Sequence, residues 1–167
     1  MFGSRTEFGL EFHVERDPGL LCVDVFVGGL HVNGWDNAFY PPLLVKKLKD
    51  ELGRFRVPAA PPVGFVSPVE AFRLAEEWTS DDTGPGAEFG RCEFLEWGEC
   101  TDDVLAFAFP DGDRVHLACR TRGVGGPPAS AVVSMSRLSL VETLEQGLAV
   151  AEREWAARLA ALKGPPP

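Results

Sequence analysis

A chain of 167 residues and 18.1 kDa, 45% hydrophobic, 10% aromatic and 25% charged, has the composition of a globular protein and excludes a disordered or collagen-like one. At this length roughly 70% of the unfolded surface is buried on folding, enough for one core, and no apolar run approaches the roughly 18 residues that a membrane crossing takes. A net charge of −9 repels nucleic acid and anionic lipid, so neither is expected as a partner.

The opening, MFGSRTEFGLEF, has no basic segment followed by an apolar stretch, so the chain is expected in the cytoplasm, as a single domain over 1–167 with a flexible proline tail at 164–167. Residues 5–16 alternate, Phe8, Leu10, Phe12 and Val14 on one face and Glu7, Glu11, His13 and Glu15 on the other, which is a strand with one wet face. Asp17-Pro18-Gly19 turns the chain, Leu21 to Val27 alternate again, and Gly28-Gly29 leads into a third short strand, Leu30 to Asn33. Pro41 and Pro42 start a helix whose amphipathic stripe is Leu43, Leu44, Lys47, Leu48 and Leu52, with Gly53 placed to close it.

Residues 57–66, VPAAPPVGFV, are too rich in proline for a central strand and read as an ordered surface connector. Ser67-Pro68-Val69-Glu70 is a capping box that opens a helix to Trp78, and Asp81 to Gly90 reads as a loop. Strands are expected over Phe89–Trp97, Val104–Phe109 and Arg114–Thr121, the last two joined by a turn at Pro110-Asp111-Gly112-Asp113, and a further β-rich run follows at Ser130 to Met135. A second capping box, Ser139 to Glu142, opens a long helix to Leu162 with Trp155 in its core-facing stripe. The fold expected is α+β: an antiparallel sheet of about six strands from two β-meanders, packed by a long C-terminal helix and two shorter helices.

Between Glu76 and Asp103 there are ten acids and one base, Arg91, so the whole charge imbalance lies in this segment and the remainder of the chain is neutral. Such a run is either a solubilising face or a landing surface for a basic partner. On the second reading the binding residues are Glu93, Glu96, Glu99, Asp102 and Asp103, with Trp97 as the anchor among them. Trp35 and, less clearly, Trp78 share its setting beside loops or acids, and such aromatics are favoured at interfaces or cap a core edge.

No catalytic residues, cofactor site or metal site emerge from the spacings. His13, His31 and His116 fall in three strands without a second ligand at metal spacing. Gly123 to Gly126 is followed by two prolines and lacks the Lys-Ser/Thr pair of a phosphate loop, and Asp111-Gly112-Asp113 lacks the oxygen ladder of a calcium loop. The acids of the segment show no apolar pocket that would separate their pKa values for acid–base work. The four cysteines lack zinc spacing and read as buried thiols, a Cys92–Cys100 bridge remaining open.

The MFGSRTEFGLEF opening, the Gly28-Gly29 turn and Leu30-His31-Val32-Asn33-Gly34-Trp35-Asp36 before a Leu-rich helix resemble the immunity protein 42 family of bacterial polymorphic-toxin systems over about the first 55 residues. The resemblance implies a small, non-enzymatic cytoplasmic antidote that binds and neutralises a cognate toxin, and the acidic segment suits a basic one such as a nuclease. The alternative is an acidic interaction or small-ligand-binding module of unrelated role.

Overall fold

The computed structural model describes residues 1–17, 19–78, 86–123 and 127–163. Its first sheet is antiparallel and is built from β1 (Phe2–Gly3), β2 (Phe8–His13), β3 (Leu21–Val27), β4 (Leu30–His31) and β5 (Ala38–Phe39). The order is β1-β2-β3-β4, with β5 also paired to β3. Register follows the alternation. Phe8 opposes Val27, Leu10 opposes Val25 and Phe12 opposes Val23, so one face is apolar and the other carries Glu11, His13 and Asp24. Gly28 and Gly29 both have positive φ, as the tightest two-residue hairpin requires.

The third strand is shorter than its apolar pattern suggests, because a side chain replaces its backbone. Val25 N–H donates to Asn33 Oδ1 and Asn33 Nδ2 donates to Val23 O, both at 2.8 Å, so the buried Asn33 amide takes over the ladder where the chain turns away. Two-residue strands such as β1 and β5 are too brief for periodicity to register.

Helix α1 (Pro41–Phe55) buries Leu44, Leu48, Leu52 and Phe55 and runs past Gly53, which faces open space and does not end it. Helix α2 (Pro68–Glu77) is capped as its sequence indicates, Ser67 Oγ accepting from Glu70 N–H at 3.2 Å. A short helix, α3 (Gly86–Gly90), occupies part of the expected loop. The expected strand over Phe89–Trp97 is replaced by α3, one bridge between Glu93 and Phe107, and an irregular path. Leu95 at φ 62 and Gly98 at φ 102 are incompatible with a continuing strand.

The remaining strands, β6 (Val104–Asp111), β7 (Arg114–Thr121) and β8 (Ser130–Ser136), form a second sheet in that order. The α+β class, the long C-terminal helix and the two shorter helices are therefore present, while the strands divide between two sheets and do not share one. Both faces of the second sheet are covered. Ala106, Ala108, Val115 and Leu117 join the main core with the first sheet, α1 and the C-terminal helix, and Phe107, Phe109 and Ala118 pack under Phe72, Ala75 and Phe89. Covering on both sides explains why 104–109 reads as a continuous apolar run.

Helix α4 (Arg137–Lys163) leaves β8 without a loop, so Ser139 sits inside the helix and cannot cap it; its carbonyl accepts the Thr143 hydroxyl at 2.8 Å. At 27 residues the helix is about 40 Å long and overruns the core. Leu140, Leu144 and Ala151 are buried, but Trp155 is only half-buried, edge-on to the exposed Tyr40, and Leu159 and Leu162 lie in solvent. Trp155 therefore flanks the core and does not fill it. Two arginines fasten the helix: Arg137 donates to the carbonyls of Phe55 and Arg56 at 3.0 Å, and Arg158 to those of Val14, Asp17 and Leu20. No helix among the described residues is long and apolar enough to cross a membrane.

Candidate partner-binding surface

The acidic segment crosses the edge of the second sheet on β6. Phe94 N–H donates to Ala106 O and Ala108 N–H to Cys92 O, so residues 92–94 cover that edge before the chain turns at Leu95. A 3-10 turn at Glu99–Thr101 then brings it back into β6, Thr101 Oγ1 accepting from Trp97 N–H at 3.0 Å. Between this path and α1 lies a cleft of about 380 Å³, with Lys47, Glu93, Glu96, Asp102 and Arg122 among its lining residues.

The turn at Leu95 sorts the side chains. Leu95 and Trp97 both point inward, while Glu96, Glu99, Asp102 and Asp103 face solvent and Glu93 is half-buried. Trp97 is 1% exposed and packs edge-on to Phe39 and Phe94, so it is a core residue and not the anchor that its acidic neighbours suggest. Charges adjacent in sequence reported the environment of those neighbours and not of the indole. Trp78 is half-buried over Gly90, where an added Cβ would run into the indole ring.

Trp35, by contrast, is 73% exposed. The following residue, Asp36, lies near enough to Cys100 to act on its thiol, and β5 packs against the 3-10 turn, so the loop that carries Trp35 approaches that turn. Burial foremost, and Asp36 after it, push that thiol up to about 12. All four cysteines are free, so Cys92 and Cys100 are not bridged.

Counter-ions are unevenly supplied. Glu76 pairs with Arg120, Glu77 with Arg73 and Glu88 with Arg91. Glu93, Glu96, Glu99, Asp102 and Asp103 have no ion-pair partner within 4.0 Å among the described residues; Asp81 and Asp82 lie outside those residues. Burial, reinforced by Glu96, raises the Glu93 carboxyl above the usual carboxylate range. Behind the cleft wall, burial lifts Glu51 to about 7 despite Arg54 at 3.0 Å and a hydrogen bond from the Leu95 backbone.

A second cluster went unseen in the sequence. On the outer face of the first sheet His13 Nε2 lies 2.9 Å from Asp24 Oδ2, His31 Nε2 lies 3.3 Å from Asp24 Oδ1, and Asn37 Nδ2 donates to Oδ1 at 2.6 Å. The β2/β3 register brings His13 to Asp24, and the β3/β4 pairing across the Gly28-Gly29 turn brings His31 to it. Among the described residues no group of His, Cys, Asp or Glu is arranged to hold a metal ion. His116 stands apart, stacked on Phe65 at 5.4 Å and 2.6 Å from Ser134 Oγ. Residues 112–113 make a two-residue hairpin turn, with Gly112 at φ 61, as read; of the 123–126 glycine run only Gly123 falls within the described residues.

Comparison with protein-family models, with curated proteins and with solved structures gave no match.

Proposed function

We propose that this chain is a non-enzymatic immunity protein of the cytoplasm that binds and neutralises a cognate basic toxin domain on the surface around the 93–103 cleft. The observation that supports it is the row of carboxylates with no ion-pair partner within 4.0 Å among the described residues, Glu96, Glu99, Asp102 and Asp103, while the acids at 76, 77 and 88 are paired with arginines. Unpaired surface charge lends nothing to the fold and repels itself; it gains favourable energy only from an approaching cation. Trp35 replaces Trp97 as the anchor, being an exposed indole in the loop whose Asp36 acts on Cys100, the residue after Glu99. The resemblance of the first 55 or so residues to an immunity family points the same way.

Two measurements test the reading. Cells expressing a toxin domain encoded beside this chain should survive when the chain is co-expressed. For the purified pair, the variant E96Q/E99Q/D102N/D103N should associate several-fold more slowly at low ionic strength, with a flatter salt dependence, and Trp35→Ala should speed dissociation. Wild-type association across the whole salt series would reduce the acids to a solubilising face. A small-ligand-binding module is the second reading, favoured by the cleft itself, where Lys47 and Arg122 stand among carboxylates in about 380 Å³. On that reading Lys47→Ala and Arg122→Ala abolish stabilisation by a bound small molecule.

A further inference from the structure

The two edges of the second sheet are treated differently. On β6 the backbone groups facing away from β7 belong to the even-numbered residues; Ala106 and Ala108 spend theirs on residues 92–94, and Pro110 has no N–H to offer. On β8 nothing equivalent exists among the described residues. The bonds flanking the β7/β8 ladder, Thr121 N–H to Ala129 O and Arg137 N–H to Asp113 O, fix its phase. Odd residues of β8 therefore bond β7, and Ser130, Val132 and Ser134 aim their N–H and C=O groups outward. Of these six groups, one, the Ser134 carbonyl, meets a donor among the described residues, the exposed Arg114 guanidinium at 3.3 Å.

Exposed edges are normally protected by a charge, a proline, a bulge or a cover. The seven residues of β8, SAVVSMS, contain neither a charged residue nor a proline, their ladder with β7 is unbroken, and Val132 is 41% exposed. We propose that β8 is a pairing edge on which a second copy of this chain lays its own β8 antiparallel, joining two three-stranded sheets into one of six.

The strand is complementary to itself. Reversed about Val133, Ser130 meets Ser136, Val132 meets Ser134 and Ala131 meets Met135. Outward-facing residues then oppose outward-facing residues, so the ladder closes; a register shifted by one would set them against residues already bonded to β7. Small side chains at both ends let the strands approach. The strand carries no charge of its own, and Asp103, the uncompensated acid that leads into β6, stands two strand spacings, about 9 Å, from β8, just past the Debye length of about 8 Å at physiological salt, so like-charge repulsion across the contact is largely screened. This dimer is independent of the toxin reading.

The test is sedimentation of the full chain over a hundredfold concentration range, with amide hydrogen exchange at each end of it. The expected result is a rise to twice the monomer mass, accompanied by at least tenfold slower exchange at Val132 and Ser134. Val132→Pro removes an N–H that β7 does not use, and Val132→Lys, at an exposed side chain, sets two like charges across the axis; each should weaken association tenfold or more while leaving the monomer's circular dichroism unchanged. A wild-type chain that stays monomeric throughout overturns the proposal. So does a dimer that survives in both variants, or one whose Val132 and Ser134 amides exchange as fast as in the monomer.

Discussion

Asp24, on the outer face of the first sheet, and Glu51, on α1 behind the cleft, are both acids withdrawn from water, yet their carboxyls shift in opposite directions. Burial raises each. At Asp24 it is outweighed by Asn37, His13 and His31, which surround both oxygens, and the carboxyl ends below its ordinary value. At Glu51 burial is deeper, Arg54 and one backbone N–H do not offset it, and Glu96 adds repulsion. The difference teaches that withdrawal from water decides nothing by itself; the donors assembled around the charge set the sign.

The comparison can be broken most forcefully at Asp24. Asp24→Ala removes the acceptor that Asn37 donates to and that faces two imidazoles, and should cost about 3 kcal/mol in urea unfolding at pH 7. Because its folded value is depressed, that contribution is present above its ordinary value of 3.8 and is lost as pH falls through the lower folded one. A penalty that stays the same in strong acid would show that shape, not charge, holds this cluster.

Glu51 should behave in the reverse sense. Its folded value is raised, so its protonated form stabilises the fold below 4.5 and that benefit drains away as pH climbs towards about 7. Glu51→Gln should therefore be close to neutral in stability near pH 4 and more stable than wild type by about 2 kcal/mol above pH 8, a fraction of the full linkage because the ion pair with Arg54 is lost as well. Parallel unfolding curves for the two proteins at both pH values would mean that Glu51 ionises as freely as in water.

Much of this arrangement was legible before any coordinates. The alternation of residues 8–13 and 21–27, the Ser67 cap and the Gly112 turn each rest on one local rule, and each appears where that rule puts it. What was not legible depended on a partner distant in sequence or on a backbone state that propensity does not encode. Leucine gives no signal that it will adopt φ 62, yet Leu95 does, and this turn sends Trp97 inward, covers the β6 edge and opens the cleft. The density of acids could be counted; which of them lack a counter-ion turns on arginines such as Arg120, brought in by a strand far along the chain.

Glu93 gives the smallest and sharpest comparison, because it lies between the two cases. It is half-buried, its carboxyl is raised chiefly by burial and then by Glu96, and Arg54 donates to its backbone carbonyl while its carboxylate forms no ion pair among the described residues. With water still reaching the group, screening removes most of the burial penalty, so Glu93→Gln should stabilise by only about 0.5 kcal/mol at pH 7. The gain should shrink as pH falls into the carboxylate range, where wild-type Glu93 is itself protonated, and should be smaller, though not absent, if Glu96 has already been replaced by Gln. A double-mutant cycle over Glu93 and Glu96 reads this coupling directly. Additive effects would attribute the Glu93 shift to burial alone and would leave Glu96 free to act wholly as an outward-facing charge of the partner surface.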